Sequence, residues 1–183
     1  MRELTYAHIV DRLLCYLVMI VGCVFEIDPE LIPDSKIRMS EVVACGSLEE
    51  MLRQRAHLAA SDLSFSTTKL IATALSVPGV AEDSASDARE RLGTVVAVRN
   101  LLVHHSGIVH AKFVREQPQY ADLLGQRFPI DGASIESLTD LAHDVRETID
   151  SAMQDKYGVS AALLLKVADE YRDRANVNDS TDG

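Results

Sequence analysis

Tryptophan is absent from this chain, and aromatic residues make up only 5% of it. Binding single strands by base stacking needs a row of ring faces, so that mode of nucleic-acid recognition is not expected. Cysteine is scarce. Cys15, Cys23 and Cys45 form no CxxC pair and are odd in number. That argues against a disulfide framework and against a thiolate zinc site, and reads as reduced, mostly buried thiols. Charge is missing from Leu13 to Phe25. Thirteen residues fall short of the roughly 18 that a membrane span needs. The run has the length of a signal-peptide core, and Ile20-Val21-Gly22-Cys23 looks like a lipoprotein cleavage box. Yet Glu3 and Asp11 offset Arg2 and Arg12, so the positive leader of a signal peptide is lacking. A buried core or subunit-contact helix is the expectation, with the protein in the cytoplasm and no membrane partner.

What is present is ordinary for a folded domain. The chain has 183 residues, 47% hydrophobic and 25% charged, enough for one domain with a real core. The net charge of −10 argues against a whole surface coated in nucleic acid, but leaves room for a phosphate in one locally basic cleft. No segment alternates with period two, so strands are not expected. A first helix is predicted from about Leu4 to Phe25, broken by Asp28-Pro29 and Ile32-Pro33. Ser47, with Glu50 three residues on, has the pattern of a capping box. It opens a second helix that runs to about Ser76, before Pro78-Gly79. A third starts near Ser84 or Ser86 and ends or bends at Gly107. A fourth covers Ser134 to about Lys156, and a fifth apolar stretch covers Val159 to Ala175. The class is therefore all-α, an antiparallel bundle of four to five helices. It forms a single domain over 1–175, with a polar tail over 176–183. The connections 27–46 and 116–133 are long for a plain bundle and are expected to pack over it.

Chemistry concentrates in one window. None of the 28 acidic residues lies between Arg91 and Arg115, while Arg91, Arg99, Lys112, Arg115 and three of the six histidines, His104, His105 and His110, do. Such a stretch in an acidic protein is a local place for an anion. Leu92, Val95, Val96, Leu102 and Val103 form an apolar stripe at helical spacing, and Arg99 falls on it. A guanidinium there must be paired or open to a cleft. Asn100 and His104 are four apart and share a helical face. Arginine offers a fork of donors matched to phosphate oxygens. Histidine exchanges protons near neutrality, and asparagine orients an imidazole or donates to phosphate. No carboxylates nearby would hold magnesium, so no metal or cofactor is expected and metal-free phosphodiester cleavage is the natural chemistry. The 2′-hydroxyl of RNA supplies a nucleophile for it. The competing structural reading has Arg99 bridging to a carboxylate of another helix and His104 capping the carbonyls of its own. His105 and His110 are accessory candidates, Arg91, Lys112 and Arg115 weak RNA-backbone contacts. The hydroxyl cluster Ser64, Ser66, Thr67 and Thr68 has no adjacent histidine or acid to activate it.

Arg99-Asn100-Leu101-Leu102-Val103-His104 resembles the R-x(4–6)-H motif of HEPN domains, with the usual polar residue directly after the arginine. Ser106-Gly107-Ile108-Val109 is similar to the sequence that follows the motif in several prokaryotic members. The specific match covers about ten residues. The resemblance implies a helical bundle that dimerises and lines a shared cleft with arginine, polar residue and histidine from both subunits. It implies metal-independent RNA cleavage, as in toxin–antitoxin and host-defence systems, with an antitoxin protein as a further partner. By the same resemblance Arg99 stabilises the scissile phosphate, His104 transfers protons and Asn100 orients them. Some members have lost catalysis and only bind partners, which is the alternative reading. One toxin subgroup carries a tyrosine two residues after the motif histidine, where an antitoxin modifies it. Ser106 stands there in this chain, so that form of control is not implied.

Overall fold

A computed structural model describes residues 1–33, 40, 42 and 45–159. Beyond Val159, the expected fifth apolar stretch and the polar tail lie outside the described residues. The class is the expected one, an all-α helical bundle. Among the described residues there is no strand, only an isolated antiparallel bridge between Ile108 and Arg127. The chain divides into two compact units. The first joins Met1–Cys15 to Ala81–Thr148, and the second joins the described residues of 16–80 to those of 149–159.

Helix α1 spans Arg2–Ile27. Val10, Leu13, Leu17, Ile20 and Val24 are buried at the three- and four-residue spacing of one helical face. The helix stops before Asp28-Pro29, where the proline ring disfavours α conformation in the residue before it. A 3-10 turn, Pro29–Leu31, follows. At 26 residues, with mean hydropathy 1.9 over its best window, α1 is long and apolar enough to cross a membrane by length and composition. The charge-free run of thirteen residues understates it. Of that window, 44% is buried inside the protein.

In the second unit, α2 spans Leu48–Ser64, and the Ser47 hydroxyl accepts from the Glu50 backbone N–H at 3.1 Å, as the capping pattern predicts. The expected continuation to Ser76 is not found. The chain breaks at Phe65 and Ser66, and α3 spans Thr67–Ala74. Of the hydroxyl cluster, Ser64 bonds locally at the break. Ser64 turns its hydroxyl onto the Ser61 carbonyl at 2.6 Å, and the N–H groups of Phe65 and Ser66 reach back three residues, to Asp62 and Leu63. Such local bonds compete with the four-residue ladder. Leu17, Ile20, Leu70, Leu75, Ile149 and Met153 are among the fully buried side chains of this unit.

The first unit carries the candidate site. Helix α4 spans Glu82–His104. Its buried residues are Ala85, Leu92, Val96, Val98 and Leu101. The apolar stripe thus ends on Leu101 rather than Leu102, and Val103 is half-exposed. After α4 comes α5, Ala111–Glu116, then a 3-10 turn, Pro118–Leu123. The connection expected to be a long loop is therefore built of short elements. Phe113, Tyr120 and Phe128 close it, with ring centroids 5.0–5.9 Å apart; Phe128 meets both other rings edge-to-face, while Phe113 and Tyr120 are tilted at 31°. Helix α6 spans Gly132–Tyr157 and crosses from this unit into the second. Asp131 starts it by accepting from the Ser134 N–H at 2.8 Å and hydroxyl at 2.7 Å, which also holds its carboxyl below the usual range.

Candidate functional site

Arg99, Asn100 and His104 occupy the last turns of α4. The apolar stripe fixes the rotation of this helix, and Arg99 falls at its border. Arg99 donates through Nε at 2.9 Å to one oxygen of Asp11, on α1, and its Nη2 lies 2.8 Å from that same oxygen in an ion pair. Its Nη1 donates to Asn100 Oδ1 at 3.1 Å. The Arg99 side chain remains 24% exposed and Asp11 45%, so the pair sits at a rim rather than in the core. Asn100 and His104 are exposed.

Half of the competing structural reading is therefore present. Arg99 does bridge to a carboxylate of another helix. The other half is not. The Leu101 carbonyl at the end of α4 accepts from the backbone N–H groups of His105 and Gly107, at 3.0 and 3.1 Å. The His104 ring makes no hydrogen bond among the described residues. Backbone thus closes the helix, and the imidazole is left facing solvent. Ser106 and Gly107 both adopt positive φ, 51° and 74°, which turns the chain sharply back after the motif. The returning segment pairs with residues 125–128 through Val109 N–H to Gln126 O at 2.9 Å and Phe128 N–H to Gly107 O at 2.8 Å.

The accessory candidates divide. His110 is half-buried and acts as a cap, its Nδ1 accepting from the Phe113 N–H at 3.2 Å. Its ring meets His105 at 4.2 Å between centroids, at 62°. The structure brings these two histidines together. It gives them no bond to Arg99, Asn100 or His104. Arg91 pairs with Asp87 at 3.4 Å and lies 4.0 Å from Asp144. Lys112 lies 3.9 Å from Glu116, and Arg115 is exposed. Among the described residues no three of His, Cys, Asp and Glu are grouped to hold a metal ion. An apolar groove of about 290 Å³ lies in the second unit, lined by Val21, Phe25, Leu31, Val77 and neighbours. It includes none of the candidate residues.

Two residues escaped the sequence reading. Asp11 comes from 88 positions earlier, so the window without acids is not acid-free in space. Its signal was present. Asp11 follows buried Val10 and so borders the apolar face of α1, as Arg99 borders that of α4. Arg127 is the other. Its Nε and Nη2 donate to the two Glu3 oxygens at 2.8 and 2.7 Å, and this holds the Glu3 carboxyl below its usual range. Arg127 also runs beside Gly107, where a built Cβ would lie 3.7 Å from its Cγ.

The arrangement offers a planar cation with donors to spare, an amide and a solvent-facing imidazole on consecutive turns. That set suits an oxyanion with a proton to move nearby. No family model matches the chain, no curated protein matches it and no solved structure matches it.

Proposed function

We propose that the chain is a metal-independent endoribonuclease of HEPN type, acting as a homodimeric toxin or host-defence effector in the cytoplasm. The observation that carries this reading is the direct hydrogen bond between Arg99 and Asn100 on the turn before an exposed His104 whose ring is unbonded among the described residues. In the proposed reaction the 2′-oxygen attacks the adjacent phosphorus and the bond to the 5′-oxygen breaks. The products are a 2′,3′-cyclic phosphate and a 5′-hydroxyl. Arg99 stabilises charge on the phosphoryl oxygens as it develops. His104 carries a proton to or from the reacting oxygens, and a second copy across the dimer supplies the other proton carrier. Lys112 and Arg115 are weak candidates for backbone contacts.

One observation favours a second reading, a non-catalytic HEPN-like interaction protein. Asp11 already neutralises Arg99, as it would in a structural ion pair. Purified wild type and His104→Ala, checked for folding and dimerisation, are incubated in EDTA with a panel of single-stranded and structured RNAs. Cleavage to cyclic-phosphate ends by wild type and not by the folded variant is expected. A folded wild type that leaves the whole panel intact would replace the first reading with the second.

A further inference from the structure

A guanidinium has five N–H donors in a plane and no acceptor. Asp11 takes the Nε donor of Arg99 and lies 2.8 Å from Nη2 in the ion pair, and Asn100 takes one donor from Nη1. Each terminal nitrogen therefore keeps at least one N–H beyond these contacts. Terminal guanidinium donors of this kind are the ones that phosphate oxygens accept. The bond to Asn100 carries a second consequence. Because a guanidinium can only donate, the Asn100 atom facing Nη1 is necessarily the oxygen. The amide nitrogen is then turned away from Arg99, with its own two donors unbonded among the described residues. The carboxylate oxygen of Asp11, held on a different helix, thus fixes the plane of the guanidinium, and the guanidinium fixes the orientation of the amide. An arginine this close to a surface would otherwise sample many rotamers, and an exposed asparagine would be free to flip.

We propose that Asp11 is a positioning residue. By closing the Nε–Nη2 side of Arg99 it presents the remaining terminal N–H groups and the Asn100 amide together to one oxyanion, the phosphate of an RNA backbone. The kinetic part of this inference rests on the ribonuclease reading above, while the binding part rests on the geometry of Asp11, Arg99 and Asn100 alone. Positioning separates from mere charge neutralisation through two substitutions. Asp11→Asn removes the charge and keeps an oxygen facing both Arg99 nitrogens. Asp11→Ala removes charge and anchor together.

The test uses the full chain, with melting curves on every variant. Asp11→Ala is expected to lower kcat for RNA cleavage about 10- to 100-fold without raising KM, since misplaced groups act on the transition state. Asp11→Asn is expected to restore kcat to within about threefold of wild type. In parallel, inorganic phosphate is titrated into ¹⁵N-labelled protein. The Arg99 Nε–H and Asn100 side-chain amide signals should shift together in wild type and Asp11→Asn, and lose that joint response in Asp11→Ala. The proposal is overturned if Asp11→Ala behaves as wild type, if Asp11→Asn falls as far as Asp11→Ala, or if phosphate moves neither signal in wild type. A wild type that cuts no RNA defeats the ribonuclease reading alone, and the phosphate titration then decides the role of Asp11.

Discussion

Arg99 and Asp11 meet through one carboxylate oxygen, which accepts from Nε at 2.9 Å and lies 2.8 Å from Nη2. Both partners keep water access, so the pair is worth about 0–1 kcal/mol to the fold. That is too little to make it a main source of stability, and it separates the structural from the functional consequences of changing either residue.

Arg99→Lys tests this separation. Lysine keeps the charge but has no planar fork, so it cannot hold Asp11 through two nitrogens and also reach Asn100. Unfolding free energy should change by less than about 1 kcal/mol. RNA cleavage should fall by about 10²-fold or more, the cost of losing a fixed donor to a developing oxyanion. Denaturant melts and initial rates on the same preparation read both. A lysine variant as active as wild type would mean that the fork is not used.

The ion pair of Glu3 with Arg127 sets an acid-side dependence of stability. Its hydrogen bond to Arg127 lowers the Glu3 carboxyl from its ordinary value of 4.5. A group whose pKa is depressed in the folded state contributes stability above its unfolded value and loses it as pH falls through the folded one. The stability gap between wild type and Glu3→Gln should therefore be full above about pH 5 and shrink as the pH drops below about 4. Melts at fixed ionic strength across that range check it. A constant gap would show that Glu3 acts by packing and not by charge. Because the pair is largely exposed, added salt should also narrow the gap.

What could be read from sequence was what depends on near neighbours. The Ser47 cap was legible because its partner, Glu50, is three residues away. The ends of α1 and α4 were legible through Pro29 and Gly107. The break at Phe65 was not, because the bond of the Ser64 hydroxyl to the Ser61 carbonyl competes with the helix ladder in a way that residue type alone does not specify. The burial of Leu101 instead of Leu102 depends on the rotation of α4, which neighbouring elements set. At the site, Arg99, Asn100 and His104 were legible as one helical face. Asp11 was legible only as a border residue of α1, because which helix borders pair across 88 residues is a tertiary fact. His110 was seen as a chemical candidate, and its work as the cap of α5 emerged only with the backbone N–H of Phe113.

The cysteines differ enough in burial to report on local opening of α1. Burial is the main reason the Cys23 thiol is pushed up to about 12, with Glu26 adding to it. Cys15 is exposed and Cys45 half-exposed. The thiolate is the reactive form. A disulfide reagent at pH 8 should therefore label Cys15 and Cys45 promptly, and Cys23 only at the rate of unfolding. Mass spectrometry of timed digests distinguishes them. Prompt labelling of Cys23 in the native protein would show that α1 opens locally around it.

Gly107 is the last test, because it ends the helix that carries the site. Its N–H returns to the Leu101 carbonyl at 3.1 Å with φ at +74°. A Cβ built there meets Leu102 at 3.4 Å and Arg127 at 3.7 Å, ordinary contact distances, so space is not what forbids a side chain. The backbone is. An L-residue in the left-handed region costs roughly 1 kcal/mol, and in a chain of this size that lowers the melting temperature by about 2–4 °C. Gly107→Ala should show that loss. Ser106, already a side chain at φ 51°, should show none when changed to glycine, since relief of strain offsets the added chain entropy. If Gly107→Ala melts with wild type, the turn after His104 accepts another conformation, and the left-handed Gly107 would not be what closes α4 on the Leu101 carbonyl.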